Sequence, residues 1–276
     1  DPDGLVAELR PYQRAGLQWL RFLRQMDLHG ILADDMGLGK TVQGLAAMLD
    51  TPGPHLVIAP TSVLTNWQRE AAKFAPRLTV NLFHGPDRKF DPKVDLTLTS
   101  YALLRMDLDR LREVEWTYAI LDEAQSIKNP QSLTARSAYA LRAKNRLVLT
   151  GTPVENRLEE LWSLFRYLMP GLLGSESAFR DRFSRPIEAG DDRARVTLRS
   201  RVRPYVLRRL KSQVATELPP LTEIVERIPL EEKQRQVYEV VRTAARADVQ
   251  AALTQGGMAT MQGLEALLRM RQACCD

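Results

Sequence analysis

Over the first 165 residues, short runs of consecutive apolar positions alternate with longer stretches in which apolar residues recur every three or four. The short runs at 30–33, 55–59, 78–83, 95–99, 118–121 and 146–149 are expected to be β-strands. Several are apolar on both faces, as strands covered on both sides of a parallel sheet should be. The longer stretches at 12–26, 41–49, 63–74, 101–111, 132–141 and 158–168 are expected to be helices, with Ser62 as a candidate cap for the third. Strands and helices in strict alternation predict an α/β fold with a mainly parallel sheet.

Past Met169-Pro170-Gly171 the β-type runs nearly vanish and the text turns helical and arginine-rich, apart from 222–229, which alternates like a strand. The segment 231–271 reads as two helices broken around Gln255-Gly256-Gly257. A boundary is therefore expected near residue 168, separating 1–168 from a mostly helical 169–276. No internal repeat or low-complexity tract interrupts this order. The last helical pattern is still running at Asp276, so a longer protein is expected.

Composition narrows the class. The chain has 276 residues, 44% of them hydrophobic, with charge of both signs. No apolar run approaches the roughly 18 residues of a membrane-spanning helix, and Asp1-Pro2-Asp3-Gly4 is acidic where a secretory signal is basic. A cytoplasmic address is the expectation. The two cysteines, Cys274 and Cys275, are neighbours, which suits neither a zinc site nor a disulfide framework. Net charge is +5, and all of it lies in 166–276; within that part, 180–211 carries eleven cations against four acids. A polyanionic partner fits such a segment.

Candidate chemistry begins at "ILADDMGLGKTVQG", 31–44. A phosphate cradle needs glycines that turn backbone N–H groups toward the anion, a lysine for the terminal phosphates and a hydroxyl for Mg²⁺, all at a helix N-terminus. Gly37, Gly39, Lys40 and Thr41 supply that set. The full loop pattern would place its first glycine at 34, where this chain has Asp34. Such a loop also needs an acid at a neighbouring strand end for Mg²⁺, and a second acid to act on the attacking water. "YAILDEAQ", 118–125, offers Asp122 and Glu123 in that position. "RLVLTGTPVEN", 146–156, ends another strand in Thr150, Gly151 and Thr152. In "LRPYQRAGLQWL", 9–20, the amide of Gln13 has the donor and acceptor that an adenine edge requires.

In this order the four pieces resemble a Swi/Snf-type, superfamily-two DNA-dependent ATPase of the bacterial type. "APTSVLTNWQRE" (59–70) is similar to that family's first nucleic-acid motif, "LTSYALL" (98–104) to the next, "LDEAQSIKN" (121–129) to its acidic box and "LTGTPVEN" (149–156) to its coupling motif. An Asp commonly stands where Asp34 does. "RPYVLRRLKSQVATELPPLTE" (203–223) resembles the helical insertion and "LRMRQACCD" (268–276) the linker toward a second motor lobe.

The resemblance implies a RecA-like lobe over 1–168 and a helical insertion with linker over 169–276. ATP and Mg²⁺ are the implied cofactors. Asp34, Asp35, Met36, Gly37, Leu38, Gly39, Lys40 and Thr41, with Arg10 and Gln13, would bind ATP. Lys40, Asp122 and Glu123 would be catalytic, and Thr41 and Asp122 would hold the metal. Gln125, Thr150, Gly151 and Thr152 would couple the nucleotide to motion. Double-stranded DNA would run along Thr61, Ser62, Asn66, Thr99, Ser100 and Tyr101, with Arg199, Arg201 and Arg203 adding charge; Trp67 reads first as a core residue. Asp35 and Gln125 are conservative departures from the commoner Glu and His.

The implied second lobe, with arginines that complete hydrolysis and are worth about 10³–10⁵ in rate, lies outside these 276 residues. Weak ATP binding and poor turnover are therefore expected of this chain by itself. Arg208 and Arg209 are not taken as substitutes for those arginines. The implied activity is ATP-driven translocation on duplex DNA that remodels DNA-bound proteins. A strand-separating helicase and a nucleotide-gated scaffold without turnover remain as alternatives.

Overall fold

The computed structural model describes residues 1–151, 158–214, 229–255 and 259–275. Among them, seven strands form one wholly parallel sheet: β1 (Gly30–Leu32), β2 (His55–Ala59), β3 (Val80–Leu82), β4 (Leu96–Ser100), β5 (Glu115–Asp122), β6 (Arg142–Leu149) and β7 (Val206–Leu207). Their spatial order is β3-β4-β2-β5-β6-β1-β7. Six match the runs expected from the sequence, within a few residues at their ends.

Alternation within each strand builds two cores, because successive side chains point to opposite faces. Ile31, Leu56, Ile58, Leu121 and Val148 face one side. Leu32, Val57, Ala59, Ile120 and Leu149 face the other. The second face is covered by α1 (Pro11–Gln25), α2 (Lys40–Leu49) and α3 (Thr61–Phe74), which bury Leu17, Leu45 and Trp67 against it. The first is covered by α4 (Tyr101–Met106), α5 (Leu108–Glu113), α6 (Leu133–Tyr139) and α7 (Leu158–Leu168). Phe179, Phe183 and Leu198, from the helical residues after α7, complete that core.

Local chemistry sets several boundaries. Pro11 opens α1, where its missing N–H costs nothing. The hydroxyls of Ser100 and Ser132 accept the N–H groups of Leu103 and Ala135 and so cap α4 and α6. Ser62 does not cap α3: the helix starts one residue earlier, at Thr61 after Pro60, which puts Ser62 inside its first turn. The single helix expected over 101–111 breaks at Asp107, whose carboxylate is held by Arg88 at 2.8 Å.

By its internal contacts the chain divides into 1–218 and 219–276. The change from α/β to helical text near 168 does not coincide with that division, since the helical residues 176–202 pack on the sheet's own core and β7 extends the sheet itself. In the second unit, helices Glu232–Gln255 and Ala259–Cys275 pack on one another. The strand-like stretch expected over 222–229 falls almost wholly outside the described residues.

Candidate active site

The loop 33–39 leaves the C-terminal end of β1 and enters α2. Gly37 and Gly39 have φ of +82° and +76°, a region that side chains rarely adopt. At Gly39 a Cβ would also come within 2.5 Å of the Gln13 amide nitrogen, so a side chain there would have to push that amide aside. This left-handed glycine immediately before Lys40 and Thr41 leaves the first N–H groups of α2 for an anion. The Lys40 ammonium is folded back onto the loop, donating to the carbonyls of Asp34 at 2.7 Å and Asp35 at 3.3 Å. Burial holds its pKa below the ordinary lysine value, against the pull of Glu123, Asp122, Asp34 and Asp35.

Two strands away, β5 ends in Asp122. Its Oδ2 accepts the indole N–H of Trp67 at 2.7 Å and its Oδ1 accepts the N–H of Glu123 at 3.0 Å. Burial raises the Asp122 pKa; the Trp67 hydrogen bond and nearby Lys40 oppose that rise. Glu123 sits at φ +47°, an uncommon backbone state for a non-glycine residue and one that recurs at functional sites. The Gln125 amide can donate to the Glu123 carbonyl at 3.1 Å and to its carboxylate at 3.2 Å. Thr150, 2% exposed, and Gly151 follow β6, whose Leu149 stands opposite Asp122 in the sheet. They therefore border the acids at the same sheet edge. Thr152 lies outside the described residues.

Gln13 links α1 to the loop, accepting from the Arg10 N–H at 2.9 Å and donating to the Leu38 carbonyl at 3.2 Å. A cleft of about 650 Å³ opens beside it, lined by Arg10, Tyr12, Gln13, Gly37 and Lys73 among others. Asp34, in the place of the loop's usual first glycine, is fully buried and ion-paired with Arg209.

The residues expected along a nucleic-acid track separate into two groups. Thr61 and Ser62 are exposed at the N-terminus of α3, and Asn66, half-buried, donates to Glu70 at 2.7 Å. Thr99, Ser100 and Tyr101 are buried and used within the lobe. Thr99 donates to the Phe83 carbonyl, Ser100 caps α4, and the Tyr101 hydroxyl donates to the Asp122 carbonyl at 2.8 Å. Of the basic residues in 180–211, Arg180, Arg185 and Arg195 pair with acids on their own helices and Arg209 pairs with Asp34. Arg199 and Arg203 are exposed and, among the described residues, form no ion pair; Arg201 lies over the Phe183 ring.

Sequence reasoning missed two site residues. Trp67, read as core, is indeed fully buried, yet its N–H is spent on Asp122. Arg209 stands in the basic segment, 175 positions from the Asp34 it pairs with. A buried Asp34 on an apolar strand end already implied a cation partner, since an unpaired buried carboxylate is costly; nothing local said which one.

A parallel sheet with a glycine loop and, two strands away, an acidic strand end at its C-terminal edge defines a RecA-like nucleotide-binding lobe. Within that class the chain belongs to the SNF2 family: the family model for the SNF2-related domain matches residues 12–276. It is 46% identical, over 84% of its length, to YwqA of Bacillus subtilis (strain 168), assigned as an ATP-dependent helicase/translocase. It is 38% identical, over 98% of its length, to the helicase SWR1 of Cryptococcus neoformans. Among solved structures it resembles the Sulfolobus solfataricus SWI2/SNF2 ATPase core in complex with dsDNA, with a TM-score of 0.76, 39% identity and 99% of this chain covered. The chain spans 27% of YwqA, 24% of SWR1 and 59% of the Sulfolobus core chain. Among the described residues no helix is long and apolar enough to cross a membrane.

Proposed function

We propose that this chain is the ATP-binding lobe of a motor that translocates on double-stranded DNA and remodels protein–DNA complexes. The observation that carries the reading is that Lys40, at the mouth of a glycine loop, lies close enough to Asp122 and Glu123, two strands away at the same end of the sheet, for their charges to act on its ammonium. Lys40 would exchange its two loop carbonyls for the terminal phosphates of ATP. Thr41 and Asp122 fit Mg²⁺ as hard oxygen donors. Such an ion takes one or two carboxylates from the protein and shares the phosphates of the nucleotide. When bound, that ion neutralises the charge of the phosphate oxygens.

Trp67 keeps Asp122 oriented toward that place, and Glu123 orients and accepts a proton from the attacking water. Gln13 and Arg10 border the cleft where the adenine would lie. Thr61, Ser62 and the backbone around Ser100 would meet DNA phosphates, which carry charge but no sequence. Exposed Arg199 and Arg203, with Arg201, would add salt-sensitive affinity. Gln125, Thr150, Gly151 and Thr152 would pass the nucleotide state on.

ATP turnover measured with and without linear duplex DNA, on the chain extended beyond Asp276, tests the reading. Strong stimulation by duplex that Lys40→Ala abolishes is the expected result, with far weaker turnover from residues 1–276 alone. Turnover indifferent to nucleic acid would sink the DNA motor. Displacement of one strand of a duplex would move the reading to a helicase.

A further inference from the structure

One guanidinium joins α1, the nucleotide loop and α2. Arg209 Nε donates to Asp34 Oδ1 at 2.8 Å and its terminal nitrogen to Asp34 Oδ2. That nitrogen also donates to Gln43 Oε1 of α2 at 2.8 Å, and the other terminal nitrogen donates to the Tyr12 carbonyl of α1. The backbone beside it is stitched to the loop as well. Ala33 N–H donates to the Leu207 carbonyl at 2.7 Å, Asp35 N–H to the Arg209 carbonyl at 3.0 Å, and Lys211 N–H to Asp35 Oδ2 at 2.9 Å.

Two features argue against reading this as packing alone. A buried ion pair rarely stabilises a fold more than apolar residues of the same volume would, so its better-attested use is to select one arrangement. The second feature is Gly16, in the interior of α1, where glycine is unfavourable. A Cβ there would come within 2.9 Å of the Arg209 guanidinium and collide with the Gln43 amide oxygen. Helix propensity is given up where the guanidinium passes.

We propose that Arg209 is a positioning residue for the nucleotide loop. It clamps Asp34 so that the N–H groups of the loop and of α2 are aimed before ATP arrives, and it fixes the loop to the segment that carries Arg199, Arg201 and Arg203. The helix Asp192–Val202 and the turn Arg203–Tyr205 run directly into β7 and Arg209, so the basic segment and the loop form one mechanical piece. The inference rests on the nucleotide reading above.

The test is titration of a fluorescent ATP analogue with Mg²⁺ into the 276-residue chain, alongside its melting temperature without nucleotide. The variants are Lys40→Ala, Arg209→Lys and the neutral pair Asp34→Asn with Arg209→Met. The neutral pair removes both buried charges, so it should melt near the parent yet bind at least about tenfold more weakly, the loss of a preorganised site. Parent-like binding by the neutral pair overturns the inference and leaves the pair a fold element. If the neutral pair does not fold, Arg209→Lys decides: the charge stays against Asp34 while the fork geometry is lost. Weakened binding with an unchanged melting temperature then supports the inference, and unchanged binding overturns it. A parent that binds no nucleotide, or a Lys40→Ala variant that binds as the parent does, overturns the nucleotide reading itself.

Discussion

Replacing Trp67 by Phe isolates the hydrogen bond that orients Asp122. The ring stays apolar, but the N–H lying 2.7 Å from Oδ2 is lost. Trp67 is fully buried and Asp122 is 6% exposed, so water replaces that donor poorly. A hydrogen bond to a charged group contributes about 1.5–3 kcal/mol, and leaving such an acceptor unpaired costs at least as much. The smaller ring adds about 1–2 kcal/mol of cavity cost.

Trp116 is the matched control, since it is also fully buried but donates to a neutral carbonyl, that of Leu111, at 2.8 Å. Trp116→Phe should lose about 1 kcal/mol of hydrogen bond plus the same ring contribution. The difference between the two variants should therefore be about 0.5–2 kcal/mol, read by urea unfolding at pH 7. It should also depend on pH. Burial raises the Asp122 pKa, so above 3.8 the native carboxyl holds a proton that the unfolded chain has released. The native state then binds more protons, and stability from this group is full below 3.8 and falls as pH climbs through the raised value. Losing the Trp67 N–H raises that value further and deepens the fall. The Trp67→Phe penalty should thus grow as pH climbs above 3.8 and through the raised value, while that of Trp116→Phe stays level. Equal penalties that do not vary with pH would refute the charged hydrogen bond as the cause.

Two further outcomes follow from other parts of the molecule. His55 is fully buried and faces the backbone of Thr51 and Met48 without a hydrogen bond of good geometry, and burial lowers its pKa to about 4. Between 6.5 and 4 the unfolded chain takes up the proton first, so this residue's contribution, up to about 3 kcal/mol, is lost as pH falls through that window. His55→Phe should flatten the stability profile there; an unchanged slope would assign it to other groups. Replacing Arg199, Arg201 and Arg203 by Gln should lower the slope of log affinity against log salt for duplex DNA by roughly 2–3, since each phosphate contact contributes about 0.9. An unaltered slope would return these residues to a solvated helix face.

Much of the site was legible because its chemistry is local. A glycine at φ +76°, a lysine and a threonine must be adjacent to cradle a phosphate, and acids that follow an apolar strand must emerge at its end. β1 and β2 were readable because they are buried on both faces and almost wholly apolar, and β5 and β6 because their C-terminal ends are. The break at Asp107 was hidden because its Arg88 partner lies 19 positions away. The start of α3 at Thr61 followed from Pro60, not from a serine cap. β7 has two residues in an arginine-rich stretch, and only pairing with β1 makes it a strand.

The sequence by itself thus determined the parallel α/β architecture, the phosphate loop and the acidic strand end, all dictated by hydrophobic period and by spacing of a few residues. Tertiary structure alone decided which side chains steady them. Trp67 meets Asp122 from 55 positions away and Arg209 meets Asp34 from 175. The need for a partner is local, because a buried carboxylate must be satisfied, but which partner arrives is settled only when the sheet brings distant strands side by side.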